Sequence, residues 1–134
     1  MMRKPAEQKE KDLMHTILLL DDDITLLNHG RRILKDAGYH VIPARDAMEG
    51  LNILENRRDI SLIVTDNKMP GLTGLEFAEI LYSRDRGVPV IMVSSDLNER
   101  VVTMGQKVGI RGFLEKPYQG THMQGIVKTV LESL

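Results

Sequence analysis

The stretch that decides the fold is ISLIVTD at residues 60–66, followed by NKMPG at 67–71. Apolar and β-branched residues succeed one another from Ile60 to Thr65 without polar alternation, and the run is too short for an ordinary helix. A strand that is apolar at consecutive positions is covered on both faces, which is the situation of a parallel sheet between layers of helix. The run stops abruptly on an acid, Asp66, and the Met69-Pro70-Gly71 that follows is turn chemistry.

Working outward, runs of the same kind recur at Thr16–Leu20, Tyr39–Ile42 (closed by Pro43), Val88–Val93 and, more weakly, Gly112–Glu115. Between them lie stripes at helical spacing. These are Leu27, Gly30, Leu34 and Ala37, stopped by Gly38; Ala47, Leu51 and Leu54, with Asp46 as cap; and Leu75, Ala78 and Leu81. Val101, Met104 and Val108, ended by Gly109, and Met123, Val127, Val130 and Leu134 complete the set. Five strands alternating with five helices predict a doubly wound α/β fold, a parallel sheet with helices on both faces.

The bulk numbers agree with one domain: 134 residues, net charge -1, no cysteine and no tryptophan. The charge balance argues against a nucleic-acid or membrane surface. The missing cysteines exclude disulfides and thiolate metal sites and fit a cytoplasmic setting. Residues 1–14, MMRKPAEQKEKDLM, are read as a flexible tail without targeting or membrane-spanning character, and 15–134 as the folded domain. His15, His29, His40 and His122 show no ligand spacing, and Gly71-x-x-Gly74 reads as a turn rather than a phosphate loop.

Ligands of such sheets bind beyond the carboxyl ends of the strands. There the sequence offers Asp21, Asp22 and Asp23 after the first strand, Asp66 after the third, Ser94 and Ser95 after the fourth, and Glu115, Lys116 and Pro117 after the fifth. Each has a plainer use: helix caps for Asp21–Asp23 and Ser94, a turn for Asp66, an exposed charge for Lys116. If the first and third strands are neighbours, however, Asp21, Asp22 and Asp66 converge. Carboxylates at contact distance repel by about 4 kcal/mol per pair at an effective dielectric near 20. A proton or a hard cation must offset that, and oxygen ligands with room for water and phosphate favour Mg²⁺. With an ammonium and a hydroxyl nearby, such a crevice suits a phosphoryl group, and a carboxylate can itself be the nucleophile.

Together the segments ILLLDDD, LIVTDNKMPGLTGLEF, VPVIMVSS and GIRGFLEKPY resemble the receiver domain of two-component response regulators over about residues 15–134. The resemblance implies a flavodoxin-like strand order, 2-1-3-4-5. It implies that Asp66 is the phosphoacceptor, drawing on a phosphohistidine of a sensor histidine kinase or phosphotransfer protein. Mg²⁺ would be held by Asp22, Asp66 and the backbone carbonyl of Lys68, with Asp21 acting nearby through water. Lys116 and Ser94 would contact the phosphoryl group, and the Lys116–Pro117 bond would be cis. Ser94 and Phe113 would form the switch, changing the face of the fourth helix, fifth strand and fifth helix. That face would serve a homodimer or an output domain, and Arg100, Lys107, Arg111, Tyr118 and His122 are expected on it. Such a domain acts on itself, by phosphotransfer and self-dephosphorylation, rather than as an enzyme in the ordinary sense. Ser95, where the family has a small Ala, is expected to narrow access slightly. Lys68 and Asp96, each two residues past a site residue, are expected either to pair over the acceptor or to stand as two solvated charges.

Two other readings remain open on sequence. Asp21-x-Asp23-x-Thr25 also fits the nucleophile signature of haloacid-dehalogenase-like phosphatases, with Asp21 as nucleophile. That family needs a further acid beyond the Lys, and here the only one is Glu132. A docking module that is not phosphorylated is the third.

Overall fold

The computed structural model describes residues 15–134; the stretch read as a tail, 1–14, lies outside the described residues. Among the described residues five strands and five helices alternate: β1 (Thr16–Leu20), α1 (Ile24–Asp36), β2 (His40–Ala44), α2 (Ala47–Asn56), β3 (Ile60–Asp66), α3 (Gly74–Ser83), β4 (Val90–Ser94), α4 (Glu99–Lys107), β5 (Ile110–Glu115) and α5 (Gly120–Glu132). All strand pairs are parallel, in the order β2-β1-β3-β4-β5.

The consecutive apolar residues of the strands divide between two cores, as the side-chain alternation of a strand requires. Leu18, Leu20, Ile63 and Met92 meet α2 and α3 through Leu51, Leu54, Phe77, Ala78 and Leu81. Ile17, Leu19, Leu62, Val64, Ile91 and Val93 meet α1 and α5 through Leu27, Leu34, Met123, Val127 and Val130. Every residue of β1 and β4 is buried. Side chains close the helix starts: Asp46 accepts the Glu49 N–H at 2.8 Å, and Thr73 and Glu76 form a reciprocal capping box on α3. Gly38, at φ 98°, ends α1: its N–H reaches the Lys35 carbonyl while Tyr39 N–H reaches Leu34.

The differences from the sequence reading are local. β2 runs through Pro43 to Ala44, with Pro43 opposite Leu19. An edge strand pairs on one side only, so the missing N–H is tolerated there. β4 starts at Val90 rather than Val88, and β5 starts at Ile110, before Gly112. On α4 it is Gly105, not Met104, that faces the core; Met104 is 38% exposed. The Phe113 ring fills that space, and a Cβ on Gly105 would lie 2.8 Å from it. Leu134 is exposed beyond the end of α5.

Candidate functional site

The register of the sheet sets the site. Leu20 lies opposite Thr65, which places Asp21 beside Asp66 at the carboxyl ends of β1 and β3. Asp66 lies opposite Val93, and Ser94 opposite Glu115, which brings the residue after each into the same row. The chain anchors these ends through its backbone. Asp21 N–H donates to the Ala44 carbonyl at 3.1 Å, and Lys116 N–H donates to the Ser94 carbonyl at 2.9 Å. The Lys116–Pro117 peptide bond is cis.

Asp21, Asp22 and Asp66 each present a carboxylate oxygen within 4.8 Å of the others. The Lys116 ammonium stands 3.1 Å from Asp66 Oδ2 and 3.7 Å from Asp21 Oδ2. Asp66 is 9% exposed and Asp21 8%, so neither is bathed by water that would mute their repulsion. Burial, opposed by the Asp23 N–H and by Lys116, raises the Asp21 carboxyl above its ordinary range; the charges of Asp66 and Asp22 push the same way. One ammonium faces three carboxylates. The donor set is all hard oxygen, so a divalent cation of the Mg²⁺ type fits it.

The acid triplet after β1 divides its labour. Asp23 caps α1, accepting from the N–H groups of Thr25 at 2.9 Å and Leu26 at 3.2 Å. Asp21 turns the other way, accepts the Asp23 N–H at 3.0 Å, and joins the cluster. A carboxylate committed to capping is poorly placed as the second acid of a phosphatase, which weakens that reading. Ser94 is not a helix cap: Asn98 caps α4, accepting the Val101 N–H at 2.9 Å. Ser94 is 2% exposed, and its hydroxyl oxygen accepts the Asp96 N–H at 3.1 Å. Ser95 is exposed. Lys68 and Asp96 form an ion pair between the loops after β3 and β4, and hydrogen bonding to Asp96 raises the Lys68 ammonium above its usual value.

The sequence alone does not show the role of Asn67 or Gly74, and it puts Tyr118 on the wrong face. Asn67 staples the loop after Asp66, its side-chain oxygen accepting Leu75 N–H at 3.1 Å and its carbonyl accepting Gly74 N–H at 2.8 Å. An Asn between a strand and a Pro-Gly turn was the signal. Gly74 lets α3 start directly against the acceptor: a Cβ there would lie 2.4 Å from the Asp66 carbonyl oxygen. Tyr118, expected on an outer face, is half-buried against the α1/α5 core instead. It lines the cleft with Asp21, Asp66 and Lys116, and burial, then the charges of Asp21 and Asp66, raise its phenol. The other residues expected on that face, Arg100, Lys107, Arg111 and His122, are exposed. Phe113 is partly buried and packs toward Gly105.

With this geometry in view, a family model described as the response regulator receiver domain matches residues 17–128. The chain belongs to that family. The receiver is 34% identical over 124 residues to the nitrogen assimilation regulatory protein NtrX of Azorhizobium caulinodans, covering 91% of this chain and 27% of that one. It is 32% identical over 116 residues to the two-component response regulator ORR21 of Oryza sativa subsp. indica, covering 86% of this chain and 17% of the relative. The receiver thus spans about a sixth to a quarter of the length of these curated relatives. Among solved structures, it superposes on a CheY-like receiver domain protein of Methanospirillum hungatei with TM-score 0.83 and 28% identity, covering 90% of this chain and 95% of that one. A second match is the chemotaxis protein CheY4 of Vibrio cholerae, TM-score 0.80 and 29% identity, covering 90% and 99%. The strand order of the receiver is the flavodoxin-like one.

Proposed function

We propose that this receiver is a phosphoacceptor and that Asp66 takes the phosphoryl group. The observation that supports this best is the imbalance of three clustered carboxylates against one ammonium, with Asp66 the carboxylate nearest that ammonium. A carboxylate oxygen of Asp66 attacks the phosphorus of a phosphohistidine. The nitrogen–phosphorus bond breaks, the imidazole leaves and picks up a proton, and an acyl phosphate remains on Asp66. Lys116 is placed to pair with the phosphoryl oxygens, and the Ser94 hydroxyl to donate to one of them. Asp22, Asp66 and the Lys68 backbone carbonyl would hold Mg²⁺ directly, with Asp21 beside them. The ion neutralises charge on the phosphoryl oxygens when bound. Water attacking the acyl phosphate restores the carboxylate, so the domain resets itself.

The donor is a sensor histidine kinase or phosphotransfer protein, and the setting is cytoplasmic; no helix among the described residues is long and apolar enough to cross a membrane. The output is a changed surface. Ser94 moving to the phosphoryl group leaves space toward which the Phe113 ring can shift, altering the α4–β5–α5 face offered to a second copy or an output domain. A shallow groove on that face is lined by Arg111, Phe113, His122 and Ile126. The test is labelling with a small phosphoryl donor and Mg²⁺. Asp66→Asn is expected to lose all label while Asp23→Asn keeps it. Label that survives in Asp66→Asn and disappears in Asp21→Asn would favour the phosphatase chemistry instead.

A further inference from the structure

Two pits flank the carboxyl end of α3, far from the acid cluster. The helix begins against Asp66 and runs ten residues to Ser83, about 15 Å at 1.5 Å per residue. The first pit, of about 430 Å³, lies toward α2. Leu51, Leu54 and Leu81 give it an apolar floor, and Arg58, Arg84 and Arg86 line it with Glu55. The second, of about 180 Å³, lies toward α4 and β5. There Leu81, Val88 and Val108 lie among Tyr82, Arg86 and Arg111, with Asp85 beside them. Leu81 and Arg86 line both pits, which makes them one groove across the helix end.

Among the described residues, four guanidiniums line this groove against two carboxylates, in a chain whose net charge is -1. The guanidiniums are loosely held. Arg84 meets Glu55 only at 4.0 Å, with both side chains more than half exposed. Arg86 donates to the Arg57 carbonyl at 3.5 Å. Arg58 and Arg111 have no carboxylate partner among the described residues. A cation just past a helix complements its carboxyl end, but the caps Arg57 and Arg84 already meet that need for α2 and α3. Arg58, Arg86 and Arg111 are left over. Arg57, closed on Asp59, lines neither pit. Tyr82 is 62% exposed, with its ring edge toward Gly109. A tyrosine and several arginines around an apolar hollow are the residue types that carry binding energy at protein interfaces.

We propose that this groove docks an acidic, extended peptide segment of a partner protein, whose carboxylates pair with Arg58, Arg86 and Arg111 and whose apolar side chains enter the two pits. Arginine suits carboxylates because its planar fork makes two parallel hydrogen bonds to them. The charge of the groove selects the sign of the partner, and its floor selects the class. A nucleic acid carries a phosphate at every step, so it would meet Glu55 and Asp85 as well as the arginines and leave the leucine floor unused. A peptide places its carboxylates and its apolar side chains independently. The groove leaves the acid cluster open, so the partner stays docked whatever occupies that cluster.

The experiment is a titration of the chain followed by amide spectra at Leu81, Tyr82, Arg86 and Arg111. The probes are a short peptide of aspartate and glutamate carrying two leucines, the same peptide with serine for leucine, and an oligothymidylate of matching length. The leucine peptide is expected to move these amides and to bind about ten-fold more tightly than the serine peptide, the scale of a buried apolar side chain. It is expected to bind more tightly than the oligothymidylate. Arg86→Gln and Arg111→Gln should each weaken it about two- to five-fold, the range open to an exposed ion pair. Arg57→Gln should leave it unchanged. Amides at the end of α3 that stay unmoved, equal affinity for the two peptides, or an oligothymidylate that binds as tightly as the leucine peptide overturns the proposal. These three comparisons use the wild-type chain and stand whether or not a variant folds. Arg86→Gln and Arg111→Gln chains that melt as wild type and bind the leucine peptide at wild-type affinity overturn it too.

Discussion

β3 carries an ion pair at each end, and the two are opposites. Before its first residue, the Arg57 guanidinium grips Asp59 with two hydrogen bonds, at 2.9 and 2.6 Å, and both side chains are about half exposed. Hydrogen bonding to its partner raises Arg57 and lowers Asp59, so each ion favours the other's charged form. At its last residue, Asp66 meets Lys116 at 3.1 Å in a nearly buried pocket that also holds Asp21 and Asp22. There the neighbouring Asp21 is raised rather than lowered. The first pair is complete and wet. The second is one positive charge short of balance even before Asp22 is counted. Good geometry marks the end that does nothing further; unsatisfied charge marks the end prepared for a ligand.

The largest break in this contrast is expected from removing the Lys116 ammonium from the acid cluster. Lys116→Met should lower the rate of phosphoryl labelling by about 10²- to 10³-fold, the cost of deleting a preorganised charge from a buried site. Gly74→Ala probes the backbone that supports the same end. Its Cβ would meet the Asp66 carbonyl oxygen at 2.4 Å. Chemical denaturation should show a loss of about 1–3 kcal/mol, as for other over-packed positions.

Asp21→Asn tests the imbalance directly. Without divalent cation, it should stabilise the chain by on the order of 1 kcal/mol, because a buried like charge goes while the Asp23 N–H keeps its acceptor. The pH dependence has a definite sign. A carboxyl raised in the folded state binds its proton more tightly there than in the unfolded chain. Its contribution to stability therefore falls as pH rises from the unfolded value through the folded one, and the full penalty is present above that. Wild type without Mg²⁺ should lose this increment as pH rises from the ordinary carboxylate value of 3.8, and Asp21→Asn should not. At the other end of β3, Arg57→Ala should leave both the melting temperature and the labelling rate at wild-type values. A marked loss there would mean that the amino end is not the inert half of the comparison.

The sequence made one half of this contrast legible and not the other. Continuous apolar strands announced the parallel sheet, and the position of each polar residue just past a strand announced the acid end. What it could not show was which acid of Asp21–Asp23 did what. Capping and metal binding call for the same residue type, and only the turn into α1 separates Asp23 from its neighbours. Met104 and Gly105 were exchanged for a related reason. Both suit the stripe of α4 by spacing, and the choice depends on a Phe113 ring contributed by a different element. Tyr118 was misplaced because a tyrosine after Lys-Pro carries no local sign of which way its ring turns; the α1/α5 core and the room left by Gly30 decide it. Asn67 and Gly74 looked like turn residues, and they are, but the turn they make is the mount for the acceptor.

A phosphoryl group carried on Asp66 leaves a chemical mark that can be mapped. Borohydride reduces an aspartyl phosphate to homoserine, so the phosphorylated chain can be reduced, digested and mapped by mass spectrometry. Homoserine at position 66, dependent on Mg²⁺ and absent from unphosphorylated controls, is the predicted result. Homoserine at position 21, or none anywhere in a chain that has taken up label, would contradict it.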